Sequence, residues 1–294
     1  MTQTPAVTAL DTRTLIADAS ARLATAAVEK SECIGYSCPY VPTELIAASG
    51  MTAVRLPGRA GSCLPDPGDT SGFAGYITAC MPGQVTRAGF DCPVIRLEVP
   101  STSRYRTNPE SYEQFRRSLS GLRQELEAIS GKKHGLRRPV KCSSSIRLKL
   151  ARLYRLAMQD STPFFWQDVF SLHQAGMSVP FNEFDAELDA LTQALNRHEA
   201  VDASPDLRAR IVIAGGPVGS SDSIFEVVKQ ARGLIAADLL CSGSMRLAKR
   251  QPVFGLVENP LDSLAEHYLY NNPCAFEPGS SHARLDYLAI LTRQ

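Results

Sequence analysis

Residues 33–56 read CIGYSCPYVPTELIAASGMTAVRL, and this stretch decides the fold. IGYS is a short apolar run of strand type, and Cys38-Pro39-Tyr40-Val41-Pro42 is a turn. Thr43 is placed to cap a helix, ELIAAS, which Gly50 ends, and TAVRL is a second strand. A strand, a short helix and a strand in that order make a βαβ unit, which implies a parallel sheet.

Outward from this unit the pattern continues through the Gly/Pro/Asp-rich loop PGRAGSCLPDPGDTSGF, a strand GYITA ending at Cys80, and a strand PVIRLEV ending at Pro100. Residues 31–105 therefore form a first α/β lobe. Residues 1–30 carry Leu15, Ile16, Leu23, Ala26 and Ala27 at helical spacing and read as an arm docked on the rest. Residues 106–204 are helical, with apolar stripes in FRRSLSGLRQELEAI, SIRLKLARLYRLAM and FDAELDALTQAL. Between the first two lies the basic stretch GKKHGLRRPVK, which could meet the phosphates of a nucleotide or coenzyme but also suits a solvated loop. Trp166 reads as core. Residues 205–294 return to α/β texture, with RIVIA, SIFEVVKQA and GLIAAD as strand, helix and strand, then the helices LDSLAEHYLY and ARLDYLAIL. The glycines in GGPVG lack the spacing of a dinucleotide fingerprint, so no nicotinamide site is expected. The fold class is α/β, with two lobes joined by a helical region.

A formal charge of +1 over 294 residues leaves no global field to attract nucleic acid or an acidic membrane face. No apolar run is long enough to span a bilayer and no secretory signal opens the chain, so a cytoplasmic location is expected. Eight cysteines are then unusual, because a reducing compartment does not favour disulfides. In parallel α/β sheets, ligands gather beyond the carboxyl ends of strands, and that rule sorts the thiols. Cys38, Cys80 and Cys241 each follow a strand, and Cys63 lies in the loop after TAVRL on the same edge. Cys274 sits in a Pro turn after a helix. Cys33, Cys92 and Cys142 precede a strand or sit near a helix start and read as packing residues. The wide spacing argues against a zinc ribbon or a ferredoxin-type run.

Three segments, GYSCPYVPTELIAASGMTAVRL, AADLLCSGSMRL and LAEHYLYNNPCAF with RLDYL, resemble the 2-hydroxyacyl-CoA dehydratases, a family that includes benzoyl-CoA reductase subunits and double-cubane cluster proteins. The resemblance implies two Rossmann-like (flavodoxin-like) lobes and an iron–sulfur cluster, 4Fe–4S or double-cubane, in the crevice between them. It implies that Cys38, Cys80 and Cys241 bind the cluster, with Cys63 and Cys274 as further ligands, and that Glu44 orients a ligand loop or moves a proton; the first turn of its helix would also favour that carboxylate. In such enzymes one iron keeps a non-cysteine position for the thioester carbonyl of the acyl-CoA. One electron then gives a ketyl radical anion that expels the neighbouring hydroxyl. The implied partners are a homologous second subunit or a second copy of the chain, an ATP-dependent iron–sulfur activator and the acyl-CoA substrate. Family chains usually run on past the RLDYL helix to a further cysteine, so the resemblance is to a C-terminally shortened member. Two alternatives stay open: a relay cluster that passes electrons, and a non-catalytic scaffold. With five histidines and no GxSxG elbow, a Ser/His hydrolase has no support.

Overall fold

The computed structural model describes residues 9–26, 28–58, 64–79, 89–100, 109–159, 164–196, 209–244, 247, 259–270, 274–275 and 281–291. Cys63 and Cys80 lie outside the described residues. The described residues are mixed α/β with two parallel sheets. In the first, β1 (Cys33–Tyr36), β2 (Thr52–Arg55), β3 (Gly75–Thr78) and β4 (Val94–Arg96) run in the order β2-β1-β3-β4. Every pairing is parallel: Tyr36 is level with Arg55 on one side and with Ile77 on the other. The central strands β1 and β3 are buried at every position, while β4, on one edge, buries only Ile95. That contrast follows from a parallel sheet covered on both faces at its middle and open at its rim.

The crossover from β1 to β2 is α2 (Thr43–Ala48). Its cap differs from the sequence expectation. Leu45 N–H donates to the Pro42 carbonyl at 3.0 Å, so Pro42 occupies the N-cap position and Thr43 is the first helical residue. Pro42 makes no side-chain cap; the turn before it is closed instead by Val41 N–H on the Cys38 carbonyl at 3.1 Å. Gly50 ends the helix with φ +74°, a conformation costly for any residue with a Cβ.

Four long helices follow or precede the sheet in sequence. Helix α1 (Ala9–Thr25) buries Ile16, Ala19 and Leu23, and its Arg13 and Arg22 pair with Asp168 and Glu187. These partners lie on α5 (Trp166–Gly176) and α6 (Phe181–Asn196), so the N-terminal arm docks as its stripe implied. Helix α3 (Pro109–Ser130) turns Phe115, Leu119, Leu122 and Leu126 into the core of the four-stranded sheet. Helix α4 spans Arg137–Ala157. It therefore takes up the second half of the basic stretch, because Leu136 and Val140 bury against the sheet core and Pro139 falls in the first turn, where its missing N–H costs nothing.

The second sheet pairs β5 (Ala209–Gly215) with β6 (Gly233–Leu240) in parallel, joined by α7 (Ser223–Gln230). Asp222 caps α7, its Oδ1 accepting from Ile224 N–H at 3.0 Å. Helix α8 (Pro260–Tyr270) returns to the first sheet, burying Leu264, Ala265, Tyr268 and Leu269 there, and α9 (Ser281–Leu291) packs Tyr287 on Leu239 of β6. No helix among the described residues is long and apolar enough to cross a membrane.

Candidate functional site

The strand register sets where the thiols stand. Tyr36 pairs with Ile77, which puts Cys38 level with Ala79 at the carboxyl edge of adjacent strands. The Cys38 Sγ lies 4.0 Å from the Ala79 carbonyl, and Ala79 is the residue before Cys80. Cys38 is buried, sharing a core with Tyr40, Val41 and the α8 residues, and Cys274 packs on that same core. Cys241 directly follows β6, is also buried, and sits with its Sγ 4.0 Å from the Gly215 carbonyl at the end of β5.

The two carboxyl edges are tied together. Arg55, the last residue of β2, donates through Nη2 to the Cys241 carbonyl at 3.0 Å. Gln174 of α5 donates to the Ser242 carbonyl at 2.6 Å, and Ser242 Oγ donates to the Val218 carbonyl at 2.7 Å. Arg284 of α9 donates to the Gly215 and Leu239 carbonyls at 3.2 and 3.1 Å. The Cys241 loop is therefore held by Arg55, Gln174 and Val218, and Arg284 binds the strand ends that lead into it.

Asp238 shapes this loop from below. Its buried carboxylate accepts Leu240 N–H at 3.1 Å, Ser244 N–H at 3.0 Å and the Trp166 indole N–H at 2.9 Å. Gly243 rides over it: a Cβ there would stand 1.9 Å from Asp238 Oδ1, so only glycine fits. Burial pushes the Asp238 carboxyl above its ordinary value, against the hydrogen bonds that favour the ion.

Glu44 is the second buried carboxylate, at 0% exposure. Ser143 Oγ donates to its Oε1 at 2.6 Å, the Tyr268 hydroxyl donates to Oε2 at 2.7 Å, and the Arg147 guanidinium pairs with it directly. Burial works to raise its pKa, but Arg147 and the two hydroxyls outweigh that and hold it at about 2. Arg147 Nη1 also meets His267 Nε2 at 2.6 Å, so that ring nitrogen must be the acceptor and the proton resides on Nδ1. Glu44 thus pins α2 to α4 and α8, directly behind the Cys38 turn. A cavity of about 70 Å³ adjoins it, lined by Tyr36, Glu44, Arg147, His173, Met177 and Tyr268.

The six described cysteines are all free thiols. Burial pushes Cys33 up to about 11 and raises Cys92 and Cys142, which are therefore poor thiolate donors. Cys33 instead donates to the Glu29 carbonyl at 3.2 Å. Arg55 ties the end of β2, in the sheet that carries Cys38, to the Cys241 loop, and among the described residues no three His, Cys, Asp or Glu side chains form a group that could hold a metal ion. In donor chemistry the described residues at the strand ends offer two buried thiols outside any disulfide, Cys38 and Cys241, which are soft donors of the type an iron–sulfur centre takes.

Sequence reasoning did not reach Ser143, Arg147, Tyr268, Asp238 or Arg55. One signal was available for the first two, since Ser143 and Arg147 stand four apart and share a helix face with Ile146 and Leu150.

The parallel sheets, with the buried thiols Cys38 and Cys241 just past their carboxyl ends, define the chain as an α/β protein. The chain belongs to the family of the 2-hydroxyglutaryl-CoA dehydratase D-component, whose family model matches residues 78–294. The match takes in Cys80, Cys241 and Cys274 and begins downstream of Cys38, Glu44 and Cys63. No curated protein matches the chain. At the level of the family, the chain is a component of a dehydratase enzyme.

Proposed function

We propose that this chain is the iron–sulfur component of a 2-hydroxyacyl-CoA dehydratase-type enzyme, a lyase working with an ATP-dependent activator and with a homologous subunit or a second copy of itself. The observation that carries this reading is the Arg55 bridge, which joins the carboxyl edge bearing Cys38 to the loop bearing Cys241. Family membership supports it. Each sheet with its helices corresponds to one Rossmann-like lobe, residues 31–105 and 205–294, with the arm 1–30 and the helical region 106–204 around them.

Cys38, Cys80 and Cys241 would hold the cluster, with Cys63 and Cys274 as further thiolates if it is a double cubane. Bound there, the cluster supplies a low-potential electron and a Lewis-acidic iron for the thioester. The protein's own residues do the rest. Buried packing around Cys38 and Cys241 excludes water from the thiols. Glu44, held ionised by Arg147, serves as a positioning residue that fixes α2 and with it the Cys38 turn; a carboxyl with a pKa of about 2 is a poor proton carrier near neutrality. Asp238 sets the Cys241 loop in the same way.

Anaerobic purification with iron and acid-labile sulfide counted per chain tests the reading. Stoichiometric iron and sulfide in a brown protein is the expected result. A colourless, iron-free chain would overturn it in favour of a scaffold role.

A further inference from the structure

The glycine-rich turn GGPVGSS, residues 215–221, has no part in the function proposed above, yet it lies against one of the candidate thiols. It leaves β5 at the carboxyl edge and leads into α7. The Cys241 Sγ stands 4.0 Å from the Gly215 carbonyl, and Cys241 keeps only 4% of its surface. A thiol this enclosed gains a ligand only when part of its cover moves.

Both ends of the turn are anchored. Arg284 donates to the Gly215 carbonyl at 3.2 Å, and Asp222 donates its N–H to the Gly219 carbonyl at 3.1 Å while its side chain caps α7. Between these anchors, among the described residues, the hydrogen bonds that tie the turn inward both end on one side chain. Ser242 Oγ accepts the Val218 N–H at 3.0 Å and donates to the Val218 carbonyl at 2.7 Å, so a single hydroxyl serves both backbone groups. Val218 adds an apolar contact with the core beneath. Ser242 is itself fixed: it is buried, its carbonyl accepts from Gln174 at 2.6 Å, and Gly243 after it lies against Asp238 where no larger residue fits. The turn is the freer half. Residues 216–219 are half-buried, 220 and 221 are exposed, and Gly216 and Gly219 widen the backbone's range. A Cβ at Gly219 would meet nothing within 4 Å, so that side of the turn faces open space.

We propose that the 215–221 turn is a lid over Cys241 and that Ser242 is its latch, a positioning residue that controls access to the thiol. The lid serves the Cys241 site of the cluster reading above, yet it closes on the thiol whatever the thiol binds.

The test is iodoacetamide labelling of the full chain after anaerobic removal of any iron with a chelator, each cysteine followed by mass spectrometry. Wild type is compared with Ser242→Ala, Gly219→Ala and a control on the exposed part of the turn, Ser220→Ala. Losing both latch bonds should speed Cys241 labelling about tenfold, with Cys38 and the control unchanged. In Gly219→Ala the added methyl group meets no neighbour but narrows the conformations of the open turn, so Cys241 labelling should slow about threefold. That variant carries the test if Ser242→Ala does not fold. Equal Cys241 rates in wild type and Ser242→Ala overturn the lid, as does a rise shared by Cys38, which reports general loosening. Faster Cys241 labelling in Gly219→Ala also overturns it. Iron counted before the chelator is added separates the two claims: an iron-free chain whose Cys241 rate follows Ser242 upholds the lid and defeats the cluster, and iron with a rate indifferent to Ser242 does the reverse.

Discussion

Glu44 and Asp238 are both carboxylates with no solvent exposure, one behind the Cys38 turn and one beneath the Cys241 loop, yet their surroundings move them in opposite directions. Glu44 faces a guanidinium and two hydroxyls drawn from α4 and α8, so its charge is matched and the ion is strongly favoured. Asp238 instead meets the backbone N–H groups of Leu240 and Ser244, the Ser244 side chain and the Trp166 indole, with no guanidinium among these partners. Dipoles orient the carboxylate without cancelling the cost of removing its charge from water, and its pKa rises. The first arrangement ties distant elements together, and the second stiffens a local turn. Both end in the same service, the placement of a cysteine at a strand end.

The largest effect should come from removing the matched charge. Arg147→Leu leaves Glu44 buried beside two hydroxyls and should cost about 3–5 kcal/mol in denaturant unfolding, with much of the loss recovered in Arg147→Leu/Glu44→Gln. Equal losses in the single and double variants would break the claim that the pair is coupled.

The pH dependence should follow at a similar scale. Glu44 drops from an ordinary value of 4.5 to about 2 in the folded chain. Its contribution, on the order of 3 kcal/mol, is present in full above 4.5 and is lost as pH falls through 2. Asp238, raised from 3.8, acts with the opposite sign: its contribution is present below 3.8 and is lost as pH rises through its folded value. Acid unfolding of Glu44→Gln should therefore show a flatter acid limb than wild type, and Asp238→Asn a steeper one. Parallel limbs in all three proteins would contradict the contrast.

Gly243→Ala sharpens the comparison on the Asp238 side. The added methyl group must displace the carboxylate or the loop, at about 1–3 kcal/mol, and the cost should shrink when Asp238→Ala makes room. The smallest effect belongs to a surface pair. Arg13 is 47% exposed beside Asp168, and Arg13→Ala should change stability by at most about 1 kcal/mol, screened further by salt.

Much of this frame could be read from the chain alone. Gly50, the apolar runs and the Pro/Gly loops place all four strands of the first sheet and the βαβ unit of the second, because short apolar runs between turn residues leave few alternatives. Thr43 misled, since a threonine before a helix looks like a cap while the hydrogen bonding makes Pro42 the capping residue. The start of α4 was hidden in a charged stretch whose two buried residues, Leu136 and Val140, are too few to show a stripe. Cys38 and Cys241 were legible as strand-end thiols. The groups that position them were not, because Ser143, Arg147 and Tyr268 reach Glu44 across 99, 103 and 224 residues of sequence. No local pattern reports such contacts.

The central claim is that thiols at these strand ends grip iron, and it is tested most directly by counting iron per chain after anaerobic purification of wild type, Cys38→Ala and Cys142→Ala. The account predicts that Cys142→Ala retains the wild-type complement and that Cys38→Ala loses most of it. A full complement in Cys38→Ala, or loss in both variants alike, would contradict it.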